Sequence, residues 1–181
     1  MKHLPIWFLG AVPLDVCDRI VQELSALPAK DATMGVEGEQ TAHAHRNTEV
    51  RFAPADYWFA DSMKALATYA NDTCKWDYAL TGNENIQFAK YGPNQHYNWH
   101  VDNFPLCGKG TDRKVTVVCM LNDPSEFEGG EFQVRLYSEY TAPLVKGSMI
   151  TFPSILEHRV TPVLSGTRYS ATMWLNGPRF R

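Results

Sequence analysis

After Asn83 the chain changes texture, and this change limits the fold more than any other feature of the sequence. Short runs rich in β-branched and aromatic residues alternate with turn signals: IQFAKY then GPNQ, HYNWHVD then NFPLCGKGTD, RKVTVVCMLN then DPSEFEGG. EFQVRLY, SMITFP, EHRVTPV and TRYSATMWLNG complete the series. Seven or eight short strands within about 95 residues are the pattern of a sandwich or jelly roll.

The preceding part reads differently. Val16, Ile20, Leu24 and Leu27 recur at helical spacing, with Asp15 available as a cap and Pro28 as a stop. Residues 29–47 are polar and contain glycine, which predicts a mobile loop. A second helix is predicted over residues 55–69, after Pro54, with Trp58, Met63, Leu66 and Tyr69 on its inner face. Helices first and strands after predict an α+β, mainly β fold: a double-stranded β-helix (jelly-roll) core with N-terminal helices packed on one face. No repeat or linker divides the 181 residues, so one domain is expected over 1–181. Residues 1–82 would be its helical support and residues 83–176 its core.

The opening stretch MKHLPIWFLGAVPLDVCDRI has the look of a secretion signal, but its apolar run is short and broken by Pro5 and Pro13. A first strand over residues 6–9 leading into a helix is the expectation. No apolar run approaches the length that spans a bilayer. The net charge of −3 comes without a basic stripe, which weighs against nucleic acid as a partner. Cys17, Cys74, Cys107 and Cys119 form no CxxC pair and read as reduced thiols of a reducing, cytoplasmic setting. Cys17 and Cys119 sit in apolar-patterned segments, where a free cysteine behaves as a small hydrophobe.

His100 and Asp102 are two apart in a predicted strand, so their side chains leave the same face while Trp99 and Val101 leave the other. His158, on a later strand, supplies a third donor. Two histidines and one carboxylate on one side of a metal leave positions open for substrate and O2, the arrangement of non-haem iron(II) oxygenases. Manganese, cobalt or zinc suit the same donors. Taken alone, HxD is common, and its plain reading is a surface histidine beside a turn aspartate. Arg168 sharpens the pattern: an arginine opening the apolar strand TRYSATMWLNG is costly unless an anion meets it. Its planar fork suits a carboxylate.

The strings YGPNQHYNWHVD, LNDPSEFEGGEF and KGSMITFPSILEHRVTPVLSGTRYSATMW resemble prolyl 4-hydroxylases of the 2-oxoglutarate/iron(II) oxygenase superfamily, and the bacterial PKHD-type hydroxylases in particular. The resemblance covers residues 83–174. It implies iron(II) held by His100, Asp102 and His158, with Arg168 on the distal carboxylate of 2-oxoglutarate. Tyr91 would donate a hydrogen bond to that cosubstrate and Ser170 would assist. Tyr97, Arg113, Trp174 and Glu84 would line the substrate channel. Tyr97 is three residues from His100, so a bulge or twist is needed to aim it inward. Packing in the core or at the rim is its alternative, and that of Trp174. Met120 stands where some relatives carry a tyrosine that touches the cosubstrate. His43, His45 and His96 read as surface or loop residues, and Gly129–Gly130 as a tight turn into a strand.

The implied activity is a dioxygenase reaction with Fe(II), 2-oxoglutarate and O2, with ascorbate as an accessory reductant. It would hydroxylate a C–H bond of a proline-containing protein or peptide and release succinate and CO2. Three alternatives stand beside it: an oxygenase of the same fold acting on a small molecule or another amino-acid side chain, a non-catalytic jelly-roll binding module, and a zinc hydrolase. The sequence points to no membrane partner and to no particular oligomeric state.

Overall fold

Period-two burial in the C-terminal part and helical periodicity in the N-terminal part give fifteen strands and two α-helices among the described residues. The structure is a computed structural model describing residues 5–32, 44–103, 110–143 and 145–179. In chain order the elements begin with β1 (Ile6–Phe8), α1 (Leu14–Ser25), β2 (Lys30–Asp31), β3 (Arg46–Asn47), β4 (Glu49–Ala53) and α2 (Ala60–Thr73). Then come β5 (Gly82–Asn83), β6 (Ile86–Tyr91), β7 (His96–His100), β8 (Thr111–Met120), β9 (Phe127–Gly129) and β10 (Phe132–Arg135). The last are β11 (Glu139–Thr141), β12 (Met149–Pro153), β13 (Glu157–Val160), β14 (Val163–Gly166) and β15 (Arg168–Pro178).

The large sheet has the order β1-β12-β8-β15-β6-β4-β2, with β5 also paired to β15; the smaller one runs β11-β10-β13-β7-β3, and β14 pairs β9. Neighbouring strands are antiparallel throughout, and the two main sheets face each other as a jelly roll. Alternation sorts the residues of the large sheet between two cores. Ala171, Met173 and Leu175 of β15, Ile86 and Phe88 of β6, and Val115, Val117 and Cys119 of β8 pack outward against both helices. There they meet Cys17, Ile20 and Leu24 of α1 and Met63, Ala67 and Ala70 of α2. The opposite face turns Ala89, Tyr91, Val118, Ile150 and Phe152 toward Phe132, Val134 and Val160 of the small sheet. Each layer therefore removes a stripe of side chains from water, at about 1.5–3 kcal/mol for a large apolar residue.

Several sequence expectations need correction. Asp15 is not the cap of α1. The helix begins at Leu14 with Pro13 before it, and Asp15 lies in the first turn, where its charge suits the helix dipole. The second helix spans Ala60–Thr73, and its buried face is Ala60, Met63, Ala67, Ala70 and Asn71. Trp58 precedes the helix and is 41% exposed, while Tyr69 is 57% exposed. Met63 and Leu66 face the core as expected, so only the two ends of the assumed stripe, Trp58 and Tyr69, fall outside it. The first half is also less helical than its pattern suggests, because β4 pairs with β6 inside the large sheet. Five residues are too few to show a period, and it is the partner strand that makes EVRFA a strand. Within the predicted loop, Lys30–Asp31 and Arg46–Asn47 are strands, and residues 33–43, with His43, lie outside the described residues, as does Cys107.

The first strand is as expected, ending at Phe8. Cys17, Cys74 and Cys119 are free thiols. No helix among the described residues is long and apolar enough to cross a membrane.

Candidate active site

β7 and β13 are neighbours in the small sheet, with His100 directly opposite His158. This register brings together two histidines that lie 58 residues apart in sequence. Asp102 follows just past the end of β7, where its backbone N–H and that of Asn103 both donate to Ser154 O at 2.9 Å. The donor atoms of His100, Asp102 and His158 all lie within 4.8 Å of one another. Nε2 of His158 is 3.4 Å from Oδ2 of Asp102, and Nε2 of His100 is 3.8 Å from Oδ1.

The other ring nitrogens fix the tautomers. Nδ1 of His100 donates to Asn98 O at 2.7 Å and Nδ1 of His158 donates to Leu156 O at 3.0 Å, leaving both Nε2 lone pairs directed at the shared centre. Thr116 Oγ1, fully buried on β8, donates to Asp102 Oδ2 at 2.8 Å and accepts from Ser154 Oγ at 2.9 Å. Burial, reinforced by His158, pushes His100 down to about 3, so its imidazole is neutral. Burial by itself would raise the Asp102 carboxyl, but the imidazoles of His158 and His100 hold it below the ordinary carboxylate range. Two imidazole nitrogens and one carboxylate, grouped on one side and stripped of water, form a donor set that fits a divalent metal.

A second cluster lies deeper on the inner face of the large sheet. Arg168 opens β15 directly opposite Tyr91 on β6 and has no exposed surface. Asn122 clamps its neighbours, accepting from Tyr169 N and donating to Thr167 O, both at 2.8 Å. The guanidinium donates from Nη1 to Ser170 Oγ at 3.1 Å and from Nη2 to Met120 Sδ at 3.2 Å, while buried Nε has no partner. Its Cζ is 5.3 Å from the Tyr91 ring centroid. Burial lowers Arg168 from 12.5 to about 10, so it still carries its charge at neutral pH. Among the described residues no carboxylate pairs with it. A fully buried cation held only by neutral groups fits an anionic ligand with one carboxylate at this depth. Thr116 under Asp102 and Met120 on Arg168 point inward from the same strand, four residues or about 13 Å of strand rise apart.

Aiming Tyr97 inward needs a bulge or a twist, and the pairing of β7 with β13 has a bulge there. Tyr97 pairs with Val160 while His100 pairs with His158, so three steps on β7 face two on β13. The extra residue turns Tyr97 to the same side as His100. Trp174 lies on the inner side of β15 and is 6% exposed. Arg113 stacks on it, with Cζ 3.8 Å from the ring centroid. Glu84 and Arg113 meet each other in a two-pronged ion pair, with Nε–Oε1 at 2.8 Å and Nη2–Oε2 at 2.6 Å. Of the ten residues singled out from the sequence, His100, Asp102 and His158 form one donor group with Tyr97 stacked on His100, Arg168 lies beside Tyr91 and Ser170, and Glu84, Arg113 and Trp174 contact one another. Met120 takes up contact with the arginine in place of a tyrosine.

Gly129 and Gly130 are more than a turn. Both have positive φ, and a Cβ on Gly130 would stand 2.9 Å from Arg168 Cδ. His96 lies between the carbonyls of Asn94 and Ala44 and is no ligand. His45 reaches the edge of the site, its ring 6.0 Å from that of Tyr97. Sequence reasoning missed Thr116, Ser154, Gln87 and Arg46. Thr116 and Gln87 are ordinary strand residues, Ser154 opens the turn after β12, and Arg46 sits in a polar stretch with no pattern around it.

A family model described as the 2OG-Fe(II) oxygenase superfamily matches residues 86–176. A PKHD-type hydroxylase of Synechococcus sp. (strain CC9605) is 30% identical over 169 residues, covering 91% of this chain and 74% of that protein. Further PKHD-type hydroxylases align over about half of this chain and 41% to 43% of their own length. A prolyl-4-hydroxylase of Pseudomonas putida superimposes with a TM-score of 0.76 at 20% identity, over 98% of this chain and 95% of that one. A prolyl hydroxylase of Trichoplax adhaerens, solved with a hypoxia inducible factor peptide, gives 0.70 at 16% identity, over 94% and 82%. These two likenesses concern the fold and agree on the jelly roll. The match spans β6 to β15, the strands that carry the donor triad and the buried arginine, and by it the chain belongs to the 2OG-Fe(II) oxygenase superfamily and is an oxidoreductase of that family.

Proposed function

We propose that the protein is a 2-oxoglutarate- and Fe(II)-dependent dioxygenase that hydroxylates a prolyl residue of a protein or peptide. The observation that carries the reading is the presence, on the two main sheets of one jelly roll, of the His100–Asp102–His158 donor set and of Arg168, a buried cation with no carboxylate partner among the described residues. His100, Asp102 and His158 would hold the iron, and Arg168, with Ser170 and Tyr91 beside it, would hold the distal carboxylate of the cosubstrate. The bound iron and cosubstrate supply the oxidation itself, taking up O2, releasing succinate and CO2 and delivering one oxygen atom to a C–H bond.

The chain's own residues do the rest. Backbone carbonyls of Asn98 and Leu156 keep the imidazoles in the ligating tautomer. Thr116 keeps Asp102 oriented, a role in which outer-shell partners commonly govern metal affinity. Phe132 and Phe152 wall off His158, with ring centroids 5.6 and 4.8 Å away, and so exclude water from the deep side. Tyr97 and Trp174, with Arg46 over one ring and Arg113 over the other, give the site an aromatic face whose ring edges suit a proline ring and the preset extended conformation around it. Burial pushes the Tyr97 phenol up to about 12, so that face is uncharged at working pH.

The test is mass spectrometry of proline-containing peptides after incubation with the purified protein, Fe(II), 2-oxoglutarate and O2. The expected result is gain of one oxygen on a prolyl residue with matching succinate. If peptides stay unmodified while a small molecule is oxidised with the same succinate release, the prolyl assignment fails and the oxygenase of other substrate range takes its place.

A further inference from the structure

Arg46 is a second buried arginine between the sheets, and among the described residues no carboxylate pairs with it. It lies on β3 at the edge of the small sheet, opposite Tyr97 in register, and is 8% exposed. Its guanidinium covers the Tyr97 ring at 4.3 Å, and Tyr97 in turn covers His100. Nη2 reaches across to the large sheet and donates to Gln87 Oε1 at 3.1 Å. Gln87 is itself buried on the inner face of β6, opposite Thr172. Nε of Arg46 is buried without a partner, and Nη1 makes no hydrogen bond among the described residues.

Charge counting then singles this residue out. Arg113 is neutralised by Glu84, and Lys114 lies 3.7 Å from Asp112. If the proposed function holds, a divalent metal, a doubly charged cosubstrate, Asp102 and Arg168 sum to zero. Among the described residues Arg46 is then left as one positive charge, shielded from water, beside the ring that covers His100. Its neighbours Gln87 and Tyr97 are neutral. A buried cation in this position is stabilised by a ligand that brings the opposite charge, and its planar fork matches a carboxylate.

We infer that Arg46 is a substrate-binding residue that receives a carboxylate, so that this enzyme selects substrates with an anionic group close to the carbon it oxidises. The inference deepens the prolyl reading and rests on it for the identity of the reacting carbon. Two sources share this chemistry: the α-carboxylate of a C-terminal residue, and an acidic side chain flanking the target.

The experiment is calorimetric binding, without O2, to the protein loaded with Mn(II) and 2-oxoglutarate. One probe pair is N-acetyl-L-proline against its amide; the other is N-acetyl-Pro-Glu-amide against N-acetyl-Pro-Gln-amide. In at least one pair the acid should bind ten-fold or more tightly than its neutral partner, and the pair that does so identifies the source. Arg46→Gln should erase that preference while leaving 2-oxoglutarate affinity and melting temperature in place. Arg46→Lys, which keeps the charge and loses the fork, should retain part of it. A third pair, N-acetyl-L-alanine and its amide, separates the two readings. An Arg46-dependent acid preference there, with no binding of the proline probes, overturns the prolyl substrate and leaves the role of Arg46 standing. No acid preference in any pair, or one that survives Arg46→Gln, overturns the inference.

Discussion

Tyr97 lies flat on His100, with ring centroids 3.4 Å apart and planes 11° from parallel. The phenol ring therefore sets the plane of an imidazole whose Nδ1 is already tied to Asn98 O. An imidazole held from two directions loses little freedom if it takes up a metal.

From that contact, Tyr97→Ala should weaken Mn(II) binding to the purified protein about two- to ten-fold, the range that about 0.5–1.5 kcal/mol of aromatic pairing implies. Tyr97→Phe keeps the ring and should stay within about two-fold of the original. Titration of Mn(II) by magnetic resonance reads both. Equal losses in the two variants would assign the effect to the hydroxyl instead of the stack.

Thr116 is the support beneath Asp102. Thr116→Val keeps its volume but leaves Asp102 Oδ2 and Ser154 Oγ each short of a buried partner, a cost of about 1–3 kcal/mol. Metal affinity should fall about 10- to 100-fold, as for other outer-shell substitutions. Thr116→Ser should restore most of it. Circular dichroism melts beside the metal titration separate loss of fold from loss of ligation.

For Arg168 the two expected signs are opposite. Arg168→Met removes a buried cation with no carboxylate partner, so the ligand-free protein should melt at the same temperature or higher. Its 2-oxoglutarate affinity should fall by about 2–5 kcal/mol, roughly thirty-fold to several thousand-fold. Gly130→Ala should lose both properties. It strains a backbone with φ of +60° and crowds Arg168 Cδ, so a cosubstrate loss of about ten-fold or more is expected from the displaced fork. Isothermal titration with 2-oxoglutarate and a thermal melt check all three statements.

Glu23 ties α1 to the segment before α2, accepting from Trp58 Nε1 at 2.8 Å, Tyr57 Oη at 2.6 Å and Arg19 Nε at 2.7 Å. These hydrogen bonds, Trp58's first and then those of Tyr57 and Arg19, lower its pKa from 4.5 to about 2. The folded-state value is depressed, so the stabilisation is complete above pH 4.5 and is lost as pH falls toward about 2. Glu23→Gln should flatten this part of the acid limb. Melting temperatures of both proteins at pH 6, 4 and 3 should converge as the pH drops; a constant gap would mean that Glu23 acts through packing and not through its charge.

Much of the β half was legible because its information is local. In β15 the two-residue period sets Arg168, Ser170 and Trp174 against Ala171, Met173 and Leu175, which pack on the helices. His100 and Asp102 were readable as a pair for the same reason. The helical part was less legible at its margins. Met63 and Leu66 face the core, but Trp58 precedes α2, and Tyr69, expected inside, is found outward. β4 carried too short a run to announce itself, and only its partner β6 makes it a strand.

What the tertiary structure alone decided is which distant residues meet. The register of β7 on β13 put His158 opposite His100, and the bulge beside it swung Tyr97 onto the ligand's ring. The three-residue spacing of Tyr97 and His100 named the condition for their meeting, but whether it is met, and which strand lies opposite, is decided by hydrogen bonds between strands. Thr116 under Asp102, the mutual pairing of Glu84 and Arg113, and Arg46 over Tyr97 belong to the same class. The sequence by itself determined the donor types, the strand faces they occupy and the family. Their separations, tautomers and counter-charges came from packing two sheets against each other, because distance between side chains is a property of pairing and not of order along the chain.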